Sequence, residues 1–214
     1  MRPVKFLSLT LAVVFLLIGN TEALNPGSAL KKLRKRYHKV TSLRADFREI
    51  FEWSMTGETT IRIGKLLVTS DNRFRIETPE QLFIADGRDI YRYNRLKEQV
   101  IIEPVGSSDE QFLPRKLLLD FADGFDATAI TEMVVDGREG LRLDLEANDP
   151  EVSLISSAII WVTSDDLVVH RLKLIDLNSN STTYYLSEII FDKPVEASET
   201  TFTPPEGVEL FDLR

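Results

Sequence analysis

The spacing of apolar residues changes several times along the chain, and each change predicts a different element. From Phe6 to Ile18 the run is unbroken. After Asn25-Pro26-Gly27-Ser28, apolar residues recur at Leu30, Leu33, Tyr37, Val40 and Leu43. Spacings of three and four predict an amphipathic helix, with Ser28 as its N-cap. From Leu43 the period becomes two. Leu43, Ala45, Phe47, Glu49, Phe51 and Trp53 share one parity, alternating with Arg44, Asp46, Arg48, Ile50 and Glu52, as in a half-buried strand. Similar β-rich runs follow at 59–68, 73–78, 81–85, 89–94 and 98–103. A second helix, with Pro in its first turn, is predicted over Pro114–Phe121 and ends at Gly124. Strands resume at 127–135, 141–146, 152–162, 167–177 and 182–192.

Turn residues punctuate the strands: Ser70-Asp71-Asn72, Thr78-Pro79, Asp86-Gly87, Asp136-Gly137 and Asn178-Ser179-Asn180. Connections this short leave no room for crossover helices, so the sheet should be antiparallel. Gly57 and Gly64 read as turn or bulge positions. The fold class is β-rich (α+β): one curled antiparallel sheet of about eleven strands, an incomplete barrel, with two or three helices lidding its concave apolar face. Incomplete packing beneath such a lid leaves space for an apolar ligand. No repeat, linker or low-complexity tract divides the chain.

Arg2 and Lys5 precede the Phe6–Ile18 run, and Thr21-Glu22-Ala23 supplies small residues at the first and third places of a cleavage site. Residues 1–23 therefore read as a secretory signal peptide, too short in their apolar part for the ~20 residues of a membrane span. The mature domain is 24–214. The mature product should be exported from the cytoplasm. Two cations and one anion leave with the leader, taking the formal charge from −8 to −9. An acidic chain lacks the basic footprint of nucleic-acid binding. The helix carrying Lys31, Lys32, Arg34, Lys35, Arg36 and Lys39 runs against this balance. It reads either as a solvated face or as a docking patch for an acidic partner or anionic membrane.

Chemistry is scarce. There is no Cys, which removes disulfides, thiolate metal sites and cysteine nucleophiles, and His38 and His170 are the only imidazoles. Asp165-Asp166 and Asp120 with Asp123 are paired acids, but they occupy a hairpin turn and a helix end, where Asp serves the backbone. His170 stands in mid-strand. Phosphate-loop, dinucleotide, zincin, EF-hand and G-x-S-x-G patterns are all missing. The expectation is a binding protein: no enzyme, no catalytic residue, no metal and no cofactor.

The mature chain resembles the periplasmic outer-membrane lipoprotein carriers, LolA. The resemblance rests on Val40–Phe47 leading into the first strand, Leu82–Asn94 around Asp86-Gly87, Pro114 with Leu117-Leu118, and Phe202-Thr203-Pro204-Pro205-Glu206-Gly207-Val208 near the end. It implies a half-barrel with an apolar cavity. It also implies that acylated lipoproteins are received from an inner-membrane lipoprotein-releasing ABC transporter and passed to an outer-membrane lipoprotein acceptor. A monomer is expected. Phe74 matches the aromatic that the family uses at the cavity mouth and exporter contact, so Phe74 joins Lys32, Lys35 and Arg36 as a docking candidate. One departure is Thr69-Ser70-Asp71, where the family often has a basic residue and then proline.

Exposing one acyl chain of about fifteen methylenes to water costs roughly 12 kcal/mol at ~0.8 kcal/mol each, so unaided transit is negligible. The expected lipid-binding lining is Leu33, Tyr37, Phe47, Phe51, Ile63, Phe74, Ile76, Leu117 and Leu118, part of which is core. The alternative function is a periplasmic module on the same fold that senses lipid or lipoprotein and signals by contact.

Overall fold

Helix α1, Pro26–Tyr37, opens the computed structural model, which describes residues 25–107 and 114–214. The predicted leader lies outside the described residues. The N-cap is Asn25, not Ser28: its side-chain oxygen accepts the Ser28 N–H at 3.0 Å. Pro26 follows as the first helical residue, where its missing N–H leaves nothing unpaired. The buried stripe is Leu30, Leu33 and Tyr37, as the spacing requires.

The strands follow in chain order: β1 Ser42–Glu52, β2 Thr59–Thr69, β3 Phe74–Glu77, β4 Gln81–Ala85, β5 Asp89–Asn94 and β6 Gln99–Pro104. Helix α2, Pro114–Leu118, then intervenes. After it come β7 Phe125–Val135, β8 Arg138–Ala147, β9 Ile155–Thr163, β10 Val169–Asp176, β11 Ser181–Phe191 and β12 Glu209–Asp212. Among the described residues they form one sheet of order β12-β6-β5-β4-β3-β2-β1-β11-β10-β9-β8-β7, curled but open between β7 and β12. The sheet thus has twelve strands where eleven were expected, and it is not wholly antiparallel. β12 runs parallel to β6, with Glu209 opposite Gln99 and Asp212 opposite Ile102. The long return from β11 supplies the crossover that a parallel pair needs.

That return straps the outer face. Arg44 donates to both carboxylate oxygens of Glu199, at 2.7 and 2.9 Å, and Phe202 packs beside Tyr91 and Tyr93. Leu67, Ile84 and Val100, whose parity opposes the cavity side, are buried as well. Asp136-Gly137 joins β7 to β8 as a two-residue turn with positive φ at both positions (50° and 75°), the backbone that this dipeptide favours.

The two halves of the concave face are filled differently. Under α1, Leu30, Leu33 and Tyr37 join Leu143, Leu145, Ile160, Val169 and Leu172 in one cluster. The Tyr37 hydroxyl accepts the Val169 N–H at 2.9 Å, and burial pushes that hydroxyl up to about 12. Arg34 is not a free surface cation. Its guanidinium donates to the Ala122 carbonyl at 2.8 Å and to that of Phe125, tying α1 to the start of β7. On the β1–β6 half, among the described residues, the helical cover is α2, and the face is incompletely filled.

A half-apolar cavity beside the second helix

The inward parity of β1 carries Phe47 and Glu49, and the strands beside it supply matching positions in register. Phe47 lies opposite Gly64 on β2 and Leu186 on β11; Glu49 lies opposite Arg62 and Tyr184. Beyond β2, Leu66 faces Ile76 and Ile76 faces Phe83; Phe83 faces Arg92, and Arg92 faces Ile101. With Pro114 and Leu118 of α2 these residues surround an open cavity of ≈ 720 Å³. Gly64 makes room for its wall. A Cβ there would sit 2.2 Å from the Glu77 carbonyl oxygen and 3.0 Å from Cε1 of Phe47.

The lining is not uniformly apolar. Arg62 donates to Glu49 at 3.0 Å, and Arg92 pairs with Glu103 at 2.5 Å while its guanidinium lies 5.2 Å from the Phe83 ring centre. Burial pushes the Tyr184 hydroxyl well up, and the Glu49 carboxylate beside it pushes it further, so it stays protonated. Thr78, Gln81, Asn94, Lys97 and Gln99 complete a polar side. The cavity therefore offers apolar contact from Phe47, Leu66, Ile76, Phe83 and Leu118, facing neutralised ion pairs. That arrangement suits an amphiphile and not a pure hydrocarbon.

The structure divides the sequence-predicted residues. Phe47, Ile76 and Leu118 line the cavity. Leu33, Tyr37 and Phe74 belong to the packed core. Phe74, 2% exposed and 4.7 Å from the Phe83 ring, sits behind the lining and offers a partner no surface. Phe51 pairs edge-on with Trp53 at the far end of β1, outside the cavity. Ile63 has the opposite parity from Arg62 and Leu66 and is 62% exposed, so it is excluded from the lining. The Leu117 side chain lies outside the described residues. Lys32 and Lys35 are exposed, whereas Arg36 folds over the Phe191 ring at 4.5 Å. The Thr69-Ser70-Asp71 departure is a closed turn: Asp71 takes a hydrogen bond from the Thr69 hydroxyl and pairs with Arg73 at 2.9 Å.

The acids weighed for chemistry have structural partners. Arg138 bridges Asp165 and Asp166, at 3.1 and 3.0 Å. Burial raises Asp166, but the Thr163 hydroxyl and Arg138 outweigh it and hold that carboxyl below its ordinary range. His38, Asp120 and Asp123 bring ligand-type atoms within 4.8 Å of one another. Their charges are met by protein, however: Asp120 faces Arg115 and Lys116, at 3.2 and 3.9 Å, and Asp123 faces His38 at 2.9 Å. His170 is half-buried in β10, its Nδ1 3.5 Å from Asp136.

Residues 38–203 match the family model described as outer membrane lipoprotein carrier protein LolA. The outer-membrane lipoprotein carrier protein of Legionella pneumophila (strain Lens) is 25% identical over 206 residues, which cover 94% of this chain and 97% of that one. An uncharacterised protein of Methanocaldococcus jannaschii is 25% identical over 207 residues, and the match spans 95% of this chain but 59% of that longer protein. Among solved structures, an uncharacterised conserved protein from Thermus thermophilus superposes with a TM-score of 0.54 at 11% identity, covering 86% of this chain and 97% of that one. LprF from Mycobacterium bovis does so with a TM-score of 0.52, also at 11% identity and with the same coverage. Those two share the fold. The family match extends over more than half of the chain, and the protein belongs to the LolA family of outer membrane lipoprotein carriers.

Proposed function

We propose that this protein is an exported, periplasmic carrier that takes lipoprotein acyl chains into the cavity beside α2. It receives them from an inner-membrane ABC exporter and delivers them to an outer-membrane acceptor. The observation that carries this reading is the ≈ 720 Å³ cavity on the concave face of a LolA-family sheet, roofed by a short helix. The Legionella relative bears the carrier's name over nearly its whole length, which supports the same reading. No helix among the described residues is long and apolar enough to cross a membrane.

The division of the lining fits a cargo with two chemistries. Acyl chains would lie against Phe47, Leu66, Ile76 and Leu118, and the polar linkage between lipid and peptide against the Glu49–Arg62 and Arg92–Glu103 pairs. The test is purification of the mature chain from its native envelope, then native mass spectrometry and lipid extraction. One acylated peptide or lipoprotein per chain is the expected result. A chain that arrives empty and takes up no added triacylated peptide would refute the carrier role.

A further inference from the structure

The outer face of the β8–β1 half carries a row of side chains that the cavity does not use. Register places Arg142 of β8 opposite Trp161 of β9, Trp161 opposite Arg171 of β10, Arg171 opposite Tyr185 of β11, and Tyr185 opposite Arg48 of β1. Arginine and aromatic residues thus alternate across five neighbouring strands. The Arg171 guanidinium carbon lies 3.7 Å from the Trp161 ring centre and 5.2 Å from that of Tyr185. Arg142 lies 5.9 Å from Trp161, and Arg48 lies 6.0 Å from Tyr185.

Stacking holds guanidinium planes in place and leaves their N–H edges free to bind oxyanions. Arg142 has an acceptor in Asp144 at 2.7 Å. Among the described residues Arg48, Arg171 and Lys173, which shares the outward parity of β10, have no carboxylate in ion-pair contact, although the chain carries eight more acidic than basic residues. The buried Nε of Arg171 also has no acceptor. The cationic strip is narrow: Asp144 lies beside Arg142, and Asp46, 3.7 Å from Lys65, lies beside Arg48, each two residues away along the same strand. A broad anionic bilayer would meet these acids together with the arginines, whereas a single extended chain laid along the strip would not.

We infer that this strip is a docking surface for an extended acidic segment of a partner protein, its carboxylates bound by Arg48 and Arg171 on either side of Tyr185. Strand spacing of ~4.8 Å makes the row roughly 19 Å long and sets its arginines nearly 10 Å apart. A chain in polyproline II conformation covers that length with about six residues at ~3.1 Å each, and its side chains three apart share one face at roughly the arginine interval. The surface lies on the opposite side of the sheet from the cavity, so it stands whether or not the cavity holds lipid.

The test uses the full mature chain and a fluorescein-labelled Gly-Ser peptide of about nine residues, long enough to span the row, with Glu at every third position, and its Glu→Gln counterpart. The Glu peptide should bind with a Kd of about 1 mM or tighter at low salt, and the Gln peptide should not bind. Arg48→Gln should weaken binding about threefold, and Arg48→Gln with Arg171→Gln about tenfold. Circular dichroism checks that the variants are folded, and Arg48, exposed at the end of the row, gives a variant that leaves the Trp161–Arg171–Tyr185 stack in place. Equal behaviour of the two peptides, or no binding of the Glu peptide, overturns the inference. So does arginine-dependent binding to phosphatidylglycerol vesicles without peptide binding, which would make the strip a lipid-facing surface. A wild-type dimer lost in Arg48→Gln would overturn it in favour of self-association.

Discussion

Two isoleucines that are equivalent in the sequence pattern fall on opposite faces of the sheet, and this makes a discriminating pair. Ile76 lines the cavity between Leu66 and Phe83, whereas Ile63 points outward at 62% exposure. Under the carrier reading, Ile76→Glu removes the contact of an aliphatic side chain with bound cargo, ~1.5–3 kcal/mol if the cargo covers it fully. It also strands a carboxylate against the acyl chain, a further ~1–3 kcal/mol. The sum, about 2.5–6 kcal/mol, corresponds to uptake roughly 10²–10⁴ times weaker, at 1.4 kcal/mol per tenfold. The unliganded fold should suffer much less, because Ile76 already borders open space. Ile63→Glu adds charge to solvent and should leave uptake within about twofold, the ±0.5 kcal/mol of ordinary surface changes. The assay is titration with a fluorescent triacylated peptide, paired with thermal melts of each variant. A folded Ile76→Glu protein with wild-type uptake would sink the assignment of this cavity, and equal losses in both variants would show that the cavity is not where cargo binds.

Three further outcomes follow from the packing. Tyr37→Phe leaves the buried Val169 N–H without its acceptor and should cost about 1–2 kcal/mol, read as a melting temperature lower by several degrees; an unchanged melt would mean that α1 is not tied there. Gly64→Ala drives a methyl group to 2.2 Å from the Glu77 carbonyl, so β2 and β3 must separate locally. The loss should exceed the ~1–3 kcal/mol of ordinary overpacking, measured by urea titration. The hydrogen bonds from Arg44, and then from the Glu196 N–H, hold the Glu199 carboxyl down at about 2, below its ordinary 4.5. A depressed folded value stabilises above the unfolded one, so the strap's attachment is complete above pH 4.5 and is lost as pH falls toward 2. For a carboxylate about one-third exposed this amounts to about 0.5–1 kcal/mol after solvent screening. Amide protection at Tyr91 and Tyr93, taken relative to the intrinsic exchange rate at each pH, should fall as pH drops through that window in the wild type and stay flat in Glu199→Gln.

The strand ladder was legible because turn residues delimit eleven β-rich runs, of which β1 also alternates cleanly. β12 is not among them: Glu-Leu-Phe-Asp is exposed at every position, and a short edge strand held by backbone bonds to β6 leaves no pattern. The N-cap was misread because Ser28 and Asn25 are both good caps, and only the Pro26 backbone decides between them. The cavity was legible as an expectation and illegible in detail. Lining and core share one parity, so Phe47 and Phe74 look alike until packing separates them. Glu49 was visible as an acid among Leu43, Ala45, Phe47 and Phe51, the signal of a charge turned inward. Its partner Arg62 was not, since β2 has apolar residues on both parities and the register against Phe47 and Gly64 is needed to choose. The Arg–aromatic row was invisible because its members are scattered from residue 48 to residue 185 and meet only through sheet order.

The asymmetry of the concave face bears on how cargo would leave. The α1 half is closed by Leu33, Tyr37 and the Arg34 bonds to the start of β7, all of which must break if α1 moves. α2 has five residues, and among the described residues its side-chain hydrogen bond to the rest of the sheet is a long one, 3.5 Å from Arg115 to Asn72. Opening at α2 would break fewer such bonds, and it would uncover the cavity at the cost of the buried contacts of Leu118 and the adjoining Leu119. The ion pairs in the lining act in the same direction. A wholly apolar pocket would recover most of the roughly 12 kcal/mol that one acyl chain loses in water, and release would then be slow. Arg62–Glu49 and Arg92–Glu103 reduce the apolar area without leaving a charge unpaired, so under the carrier proposal they would weaken retention while the empty cavity stays intact. Replacing Glu49 and Arg62 together by Leu and Met should accordingly tighten uptake of triacylated peptide and slow its transfer to acceptor membranes. Faster transfer from that variant would show that the pair does not limit retention.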